Sequence, residues 1–108
     1  MDPRALELDP VIHAPARLKI LMILARVSPA GFQLLQKDAA LTAGNLAAHL
    51  KALESAGYVE AIPGFVELKP RTRYALSERG RVALKAYCAA LAALITDVQA
   101  GLDGSSAR

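Results

Sequence analysis

The stretch Leu41-Thr42-Ala43-Gly44-Asn45-Leu46-Ala47-Ala48-His49-Leu50-Lys51-Ala52-Leu53-Glu54-Ser55-Ala56-Gly57-Tyr58-Val59 reads as a capped helix, a stop and the start of a strand. Thr42 is placed to cap the helix, because its hydroxyl can accept a bond from a free N–H of the first turn. Leu46, Leu50 and Leu53 fall at helical spacing and line one face. Gly57 stands where a left-handed residue ends a helix at little steric cost. The opposite face carries Ala43, Gly44, Asn45, Ala48, His49 and Ala52, which are small or polar. Such a helix is anchored on one side and presents short hydrogen-bonding groups on the other.

Upstream, Gln33 to Ala40 reads as a helix with Phe32, Leu34, Leu35 and Ala39 available for burial, and Ala40-Leu41-Thr42 is a tight connection. Helix, short turn and capped second helix make a helix-turn-helix over residues 33–56. Before it, Ala16 to Arg26 is strongly helical and ends ahead of Ser28-Pro29-Ala30-Gly31. This helix is apolar on most sides, so more than one neighbour covers it. Gly31-Phe32 is a candidate for a very short strand. Asp9-Pro10 and Ala14-Pro15 are both helix-start devices, with proline where its missing N–H costs least. Met1 to Asp9 reads as an arm that packs through Leu6 and Leu8.

Downstream, Tyr58 to Ile62 is predicted as a strand that Pro63-Gly64 breaks. Phe65 to Pro70 is read as loop or hairpin tip, and Arg71 to Leu76 as the return strand. The result is a β-hairpin wing over residues 58–76. Ser77 is the N-cap of a last helix, 77–100, in which Leu84, Tyr87, Leu91, Leu94 and Val98 recur at alternating spacings of three and four, with Ile95 alongside. That is a narrow seam, suited to packing on a partner helix. Residues 101–108 read as a flexible tail. The predicted architecture is mainly α with a small β-hairpin wing, one domain over residues 1–100 that ends in a dimerisation helix.

Composition agrees with one helical domain. The 108 residues are 54% hydrophobic but only 5% aromatic, so the core is built from aliphatic side chains. The net charge of +3 is unevenly placed. Lys69, Arg71, Arg73, Arg79, Arg81 and Lys85 stand with one acid, Glu78, in a block of net +5, and the rest of the chain carries −2. A positive block on a slightly acidic chain points to a polyanion. The single Cys88 excludes a disulfide framework within the chain and a cysteine-rich metal site, and a reducing cytoplasm is the simplest compartment. The apolar run Ile20 to Ala25 is too short to span a bilayer, so no membrane partner is expected.

Catalytic chemistry has little support: the chain has two histidines, His13 and His49, and a single Cys, with no glycine-rich phosphate loop and no paired carboxylates, and neither cofactor nor metal is implied. Double-stranded DNA has several independent supports. The helix start at Thr42, Ala43, Gly44 and Asn45 offers free N–H groups and a positive dipole end to phosphate. Asn45 can pair with adenine in a major groove, His49 lies one turn on, and Lys51 on the flank suits phosphate. Lys69, Arg71 and Arg73 alternate, so on one strand they share a face and can grip a backbone. Two other readings remain. The Ala-rich outer face would suit a protein-interaction module. Cys88, expected as a small buried hydrophobe, would serve a redox-responsive regulator if it were exposed and reactive.

The order of these elements, with Thr42 to Val59 followed by Pro70-Arg71-Thr72-Arg73-Tyr74-Ala75-Leu76-Ser77-Glu78-Arg79-Gly80-Arg81, resembles the winged helix-turn-helix transcriptional regulators, closest to the compact MarR/ArsR-like group. Leu8 to Leu18 is similar to the start of that group. The resemblance covers roughly residues 8 to 88 and implies a homodimeric repressor on a pseudo-palindromic operator. Carried onto this chain, it places Thr42, Ala43, Gly44, Asn45 and His49 in the major groove and Lys69, Arg71 and Arg73 on the wing. Leu84, Tyr87, Leu91, Leu94, Ile95 and Val98 are the expected dimer seam. The paired cysteines of the metal-sensing branch and the longer helical arms of larger MarR proteins are missing, so no metal response and no small-molecule effector are assigned.

Overall fold

The computed structural model describes residues 7–106, with side chains described through residue 104; Leu6 and most of the N-terminal arm lie outside the described residues. Four helices and a three-stranded sheet follow in the order α1 (Pro15–Arg26), β1 (Ala30–Gly31), α2 (Phe32–Ala39), α3 (Ala43–Ser55), β2 (Val59–Val66), β3 (Lys69–Leu76) and α4 (Glu78–Ser106). Asp9 opens the described chain with a turn: its Oδ1 accepts from the Val11 amide at 2.9 Å. Pro15 lies in the first turn of α1. Ile20, Leu21 and Leu24 of α1 meet Leu35 of α2, Leu46, Leu50 and Leu53 of α3, and Val59 of β2 in one buried cluster. Leu8 is partly buried against it. Burying a side chain of this size contributes about 1.5–3 kcal/mol against leaving it in water, so these three faces of three helices largely define the body.

The turn between α2 and α3 is made by Ala40 in a left-handed conformation (φ 54°), with the Leu41 amide donating to the Gln36 carbonyl. At the far end of α3, Gly57 takes φ +80°. Glycine is suited to this position, since a side chain there meets its own backbone.

The sheet order is β1-β3-β2, all antiparallel. Ala30 pairs with Tyr74 and Gly31 with Arg73, one residue earlier than the expected Gly31-Phe32. Pro63-Gly64 does not break the wing. β2 runs unbroken from Val59 to Val66, and Pro63 pairs with Thr72 in register. β2 lies at the sheet edge, where a proline can turn its missing N–H away from the partner strand. The tip is therefore only Glu67-Leu68, both left-handed at φ 51° and 67°.

Ser77 ties the strands to α4. Its Oγ accepts from the Gly80 amide at 2.9 Å and donates to the Gly57 carbonyl at 2.6 Å, while its own amide donates to the Tyr58 carbonyl at 3.0 Å. Gly80 crosses directly over Tyr58: a Cβ there would lie 2.2 Å from the Tyr58 carbonyl oxygen.

α4 spans 29 residues and continues through Ser106, beyond the expected end at residue 100. Each glycine in a helix costs only about 1 kcal/mol relative to alanine, so Gly101 and Gly104 weaken the last turns without ending them. At 1.5 Å per residue α4 is about 43 Å long, which matches the elongated molecule of 67 × 24 × 21 Å. By length and composition alone, Glu78–Gly104 would also suffice to cross a membrane, with mean hydropathy 1.4. Its first half is not an isolated span, because Tyr87 is buried in the body.

Candidate nucleic-acid interface

The Thr42 hydroxyl accepts from the Asn45 amide at 3.1 Å, which caps α3 and satisfies one free donor of the first turn. With Leu46, Leu50 and Leu53 buried, the residues left exposed along α3 are Ala43, Gly44, Asn45, Ala47, Ala48, Lys51, Glu54 and Ser55. A Cβ built on Gly44 would meet nothing within 4 Å, so this end of the helix is open.

His49 is placed differently. It is half-buried on the flank of that face, with Nδ1 3.5 Å from Nη1 of Arg17 on α1. Arg17 is itself held by the Val11 carbonyl, through Nε, and by the Pro10 carbonyl, through Nη2 at 3.2 Å. A guanidinium only donates, so Nδ1 is the accepting side of this contact. Sequence reasoning missed Arg17, because nothing local links positions 32 residues apart.

The wing carries the expected charges on one side. Cross-strand pairs share a face, so Lys69 opposite Val66, Arg71 opposite Gly64 and Arg73 opposite Ile62 form one exposed row. Arg71 Nη1 donates to the Pro70 carbonyl at 3.1 Å. Only three residues, Ala56 to Tyr58, separate α3 from β2, so the wing leaves the body beside the C-terminal end of the helix. The basic block seen in sequence is split: Arg79, Arg81 and Lys85 belong to α4, where Arg81 and Glu78 form an exposed ion pair at 3.9 Å.

Tyr58 and Tyr87 both reach the segment ahead of α1, at Asp9 and His13. The Tyr58 hydroxyl donates to Asp9 Oδ2. That hydrogen bond to a carboxylate, with burial second, holds the phenol above its ordinary value of 10.0. Burial, and then the charge of Glu54, also push Tyr74 up. Tyr87 is 4% exposed and its hydroxyl lies 2.8 Å from His13 Nδ1.

The expected dimer seam is therefore divided. Tyr87 is buried in its own chain, and Leu84 and Leu91 pack partly on the same core. Leu94 is half-buried, whereas Ile95 and Val98 are 46% and 48% exposed. Spacing specifies that a helix face is packed, not whose surface it packs on. Cys88 also departs from expectation, being exposed rather than buried, because it lies one position beyond Tyr87 on the outward side of α4.

Two helices joined by a tight turn, an open and capped second helix and a basic hairpin define a winged helix-turn-helix. The winged helix DNA-binding domain model matches residues 16–95, and the chain belongs to that family of non-enzymatic DNA-binding regulators. An uncharacterized protein of Methanocaldococcus jannaschii is 35% identical over 77 residues, 71% of this chain and 84% of that relative. A transcriptional regulator homologue of Pyrococcus horikoshii superposes with a TM-score of 0.76 at 31% identity, over 82% of this chain and 87% of the other. The same fold is found in the transcriptional repressor CouR, solved on a 23-mer DNA duplex, with a TM-score of 0.73 at 22% identity over 92% of this chain and 69% of CouR.

Proposed function

We propose that this DNA-binding regulator is a homodimer that represses transcription by occupying a pseudo-palindromic operator in the cytoplasm. The observation that carries this reading is the open face of α3, capped at Thr42, in one short hairpin unit with the exposed Lys69, Arg71 and Arg73 row on β3, the strand paired with β2. The N-terminal turn, Thr42 to Asn45, enters the major groove, Asn45 and His49 read base edges, and Lys51 meets phosphate. The wing cations supply sequence-independent affinity through counterion release. A fold shared with a repressor solved on DNA supports the assignment.

One α3 offers few base-reading groups, so specificity requires two copies. Ile95 and Val98, exposed on the part of α4 beyond Leu94, are where a second copy packs. Selection of bound duplexes from a random pool tests the whole reading. It predicts recovered sequences with two related half-sites about one helical turn apart, bound by a species that sediments as a dimer. Recovery of single half-sites by a monomer would remove the dimeric part. Failure to recover any sequence would remove the operator.

A further inference from the structure

The tip of the wing has a composition that phosphate gripping does not explain. Every residue from Pro63 to Arg73 is exposed, yet the end of the hairpin is apolar: Phe65 is 76%, Val66 57% and Leu68 95% exposed. The register sorts the two sides. Lys69, Arg71 and Arg73 share one face with Val66, while Phe65 pairs with Pro70 on the other. The turn is also costly. Glu67 and Leu68 both hold left-handed backbone, where asparagine and glycine are the favoured residues of a two-residue hairpin. Leu68 thus occupies a strained position with its side chain in water, so the folded chain gains nothing from having leucine there. At about 3.3 Å per residue, the tip stands five residues, or about 16 Å, beyond the Ile62–Arg73 pair.

We propose that Leu68, backed by Phe65, is a wedge that enters the minor groove of duplex DNA and partly unstacks a base step. Lys69, Arg71 and Arg73 hold the phosphates beside it. Apolar wedges flanked by cations are how proteins kink DNA from the minor groove. The inference rests on the DNA-binding reading above and adds a deformation to it. Charge complementarity, from the exposed Lys69, Arg71 and Arg73 row that runs up to the tip, favours DNA over a protein or a lipid surface as the occupant. Glu67 is the one acid at the tip and opposes approach to phosphate, so insertion and not charge is what the tip contributes.

The test uses the full chain and a duplex it recovers from a random pool, labelled at both ends for energy transfer and carrying 2-aminopurine at successive positions. The wild type is expected to shorten the end-to-end distance and to raise 2-aminopurine fluorescence at one step per half-site. Leu68→Gly and Phe65→Ser should each abolish both signals and weaken binding about tenfold, with the salt slope unchanged because no charge is lost. Leu68→Gly also relieves the left-handed turn, so its melting temperature should equal or exceed that of the wild type. Arg71→Ala should instead lower the salt slope by about one. Unaltered bending and affinity in both apolar variants would overturn the wedge and leave DNA binding intact. No salt-dependent binding to any duplex would overturn both. Loss of self-association, or of binding to phosphatidylserine vesicles, in place of the DNA signals would assign the tip to a second copy or a membrane and also overturn the wedge.

Discussion

Gly80→Ala should be among the most damaging single-methyl additions to this protein, and the same change at Gly101 should be harmless. At Gly80 the new Cβ would lie 2.2 Å from the Tyr58 carbonyl oxygen and 2.9 Å from its carbonyl carbon and Cα. An ordinary carbon–oxygen approach is about 3.3 Å or more, so α4 must shift by about 1 Å. Tyr58 cannot yield in its place. Its amide donates to the Leu53 carbonyl at 2.9 Å, its carbonyl accepts from the Ser77 amide at 3.0 Å, and its hydroxyl donates to Asp9. Overpacking against fixed backbone costs about 3 kcal/mol or more, and the better helix propensity of alanine returns about 1 kcal/mol. The net loss of about 2–3 kcal/mol corresponds to a melting temperature lower by roughly 10–20 °C for a domain of this size. At Gly101 a Cβ meets nothing within 4 Å, so only the propensity gain remains, up to about 1 kcal/mol of stabilisation. Urea and thermal unfolding followed by circular dichroism measure both. A Gly80→Ala protein as stable as the wild type, or equal shifts for the two variants, would refute the close crossing of α4 over Tyr58.

Tyr58→Phe should change the alkaline limb of stability. The folded-state pKa of Tyr58 is raised, so the contribution of its bond to Asp9 is complete below the unfolded value near 10.0 and is lost as pH rises through the higher folded value; the variant's unfolding midpoint, followed in urea, should fall less steeply above pH 10. Arg73→Ala is expected to weaken binding to all duplexes and lower the salt slope by about one, measured by titration at several salt concentrations. Asn45→Ala should instead relax discrimination at one base position, at about 1–3 kcal/mol, read from selection profiles. Arg17→Ala should relax discrimination at the base position proposed for His49, because the ring loses its contact with the guanidinium, while a phosphate role for Arg17 would show as uniform weakening.

Much of the candidate interface was legible because its signals are short-range. The Thr42 cap, the Gly57 stop and the Ser77 start each involve groups within a few positions of one another, so composition and spacing report them directly. The wing was partly legible. Alternation placed Lys69, Arg71 and Arg73 together, but Pro63-Gly64 suggested a break that the edge position of β2 makes unnecessary. The exposure of Phe65 and Leu68 is not legible in a stretch that reads as loop or hairpin tip, because apolar residues near a turn do not declare whether a neighbour covers them.

The amino-acid order alone determined the helix-turn-helix, the capped α3 and the basic hairpin, since these follow from hydrogen bonding and periodicity within one or two turns. Tertiary structure decided which copies of a pattern face inward. The seam on α4 is one periodic series, yet Tyr87 closes the core of its own chain while Ile95 and Val98 stay exposed. It likewise brought Arg17 to His49 and His13 to Tyr87 across long stretches of chain. Periodicity states that a face is to be buried, whereas the partner is set by how far the body extends along the helix, and that distance exists only once the chain has folded.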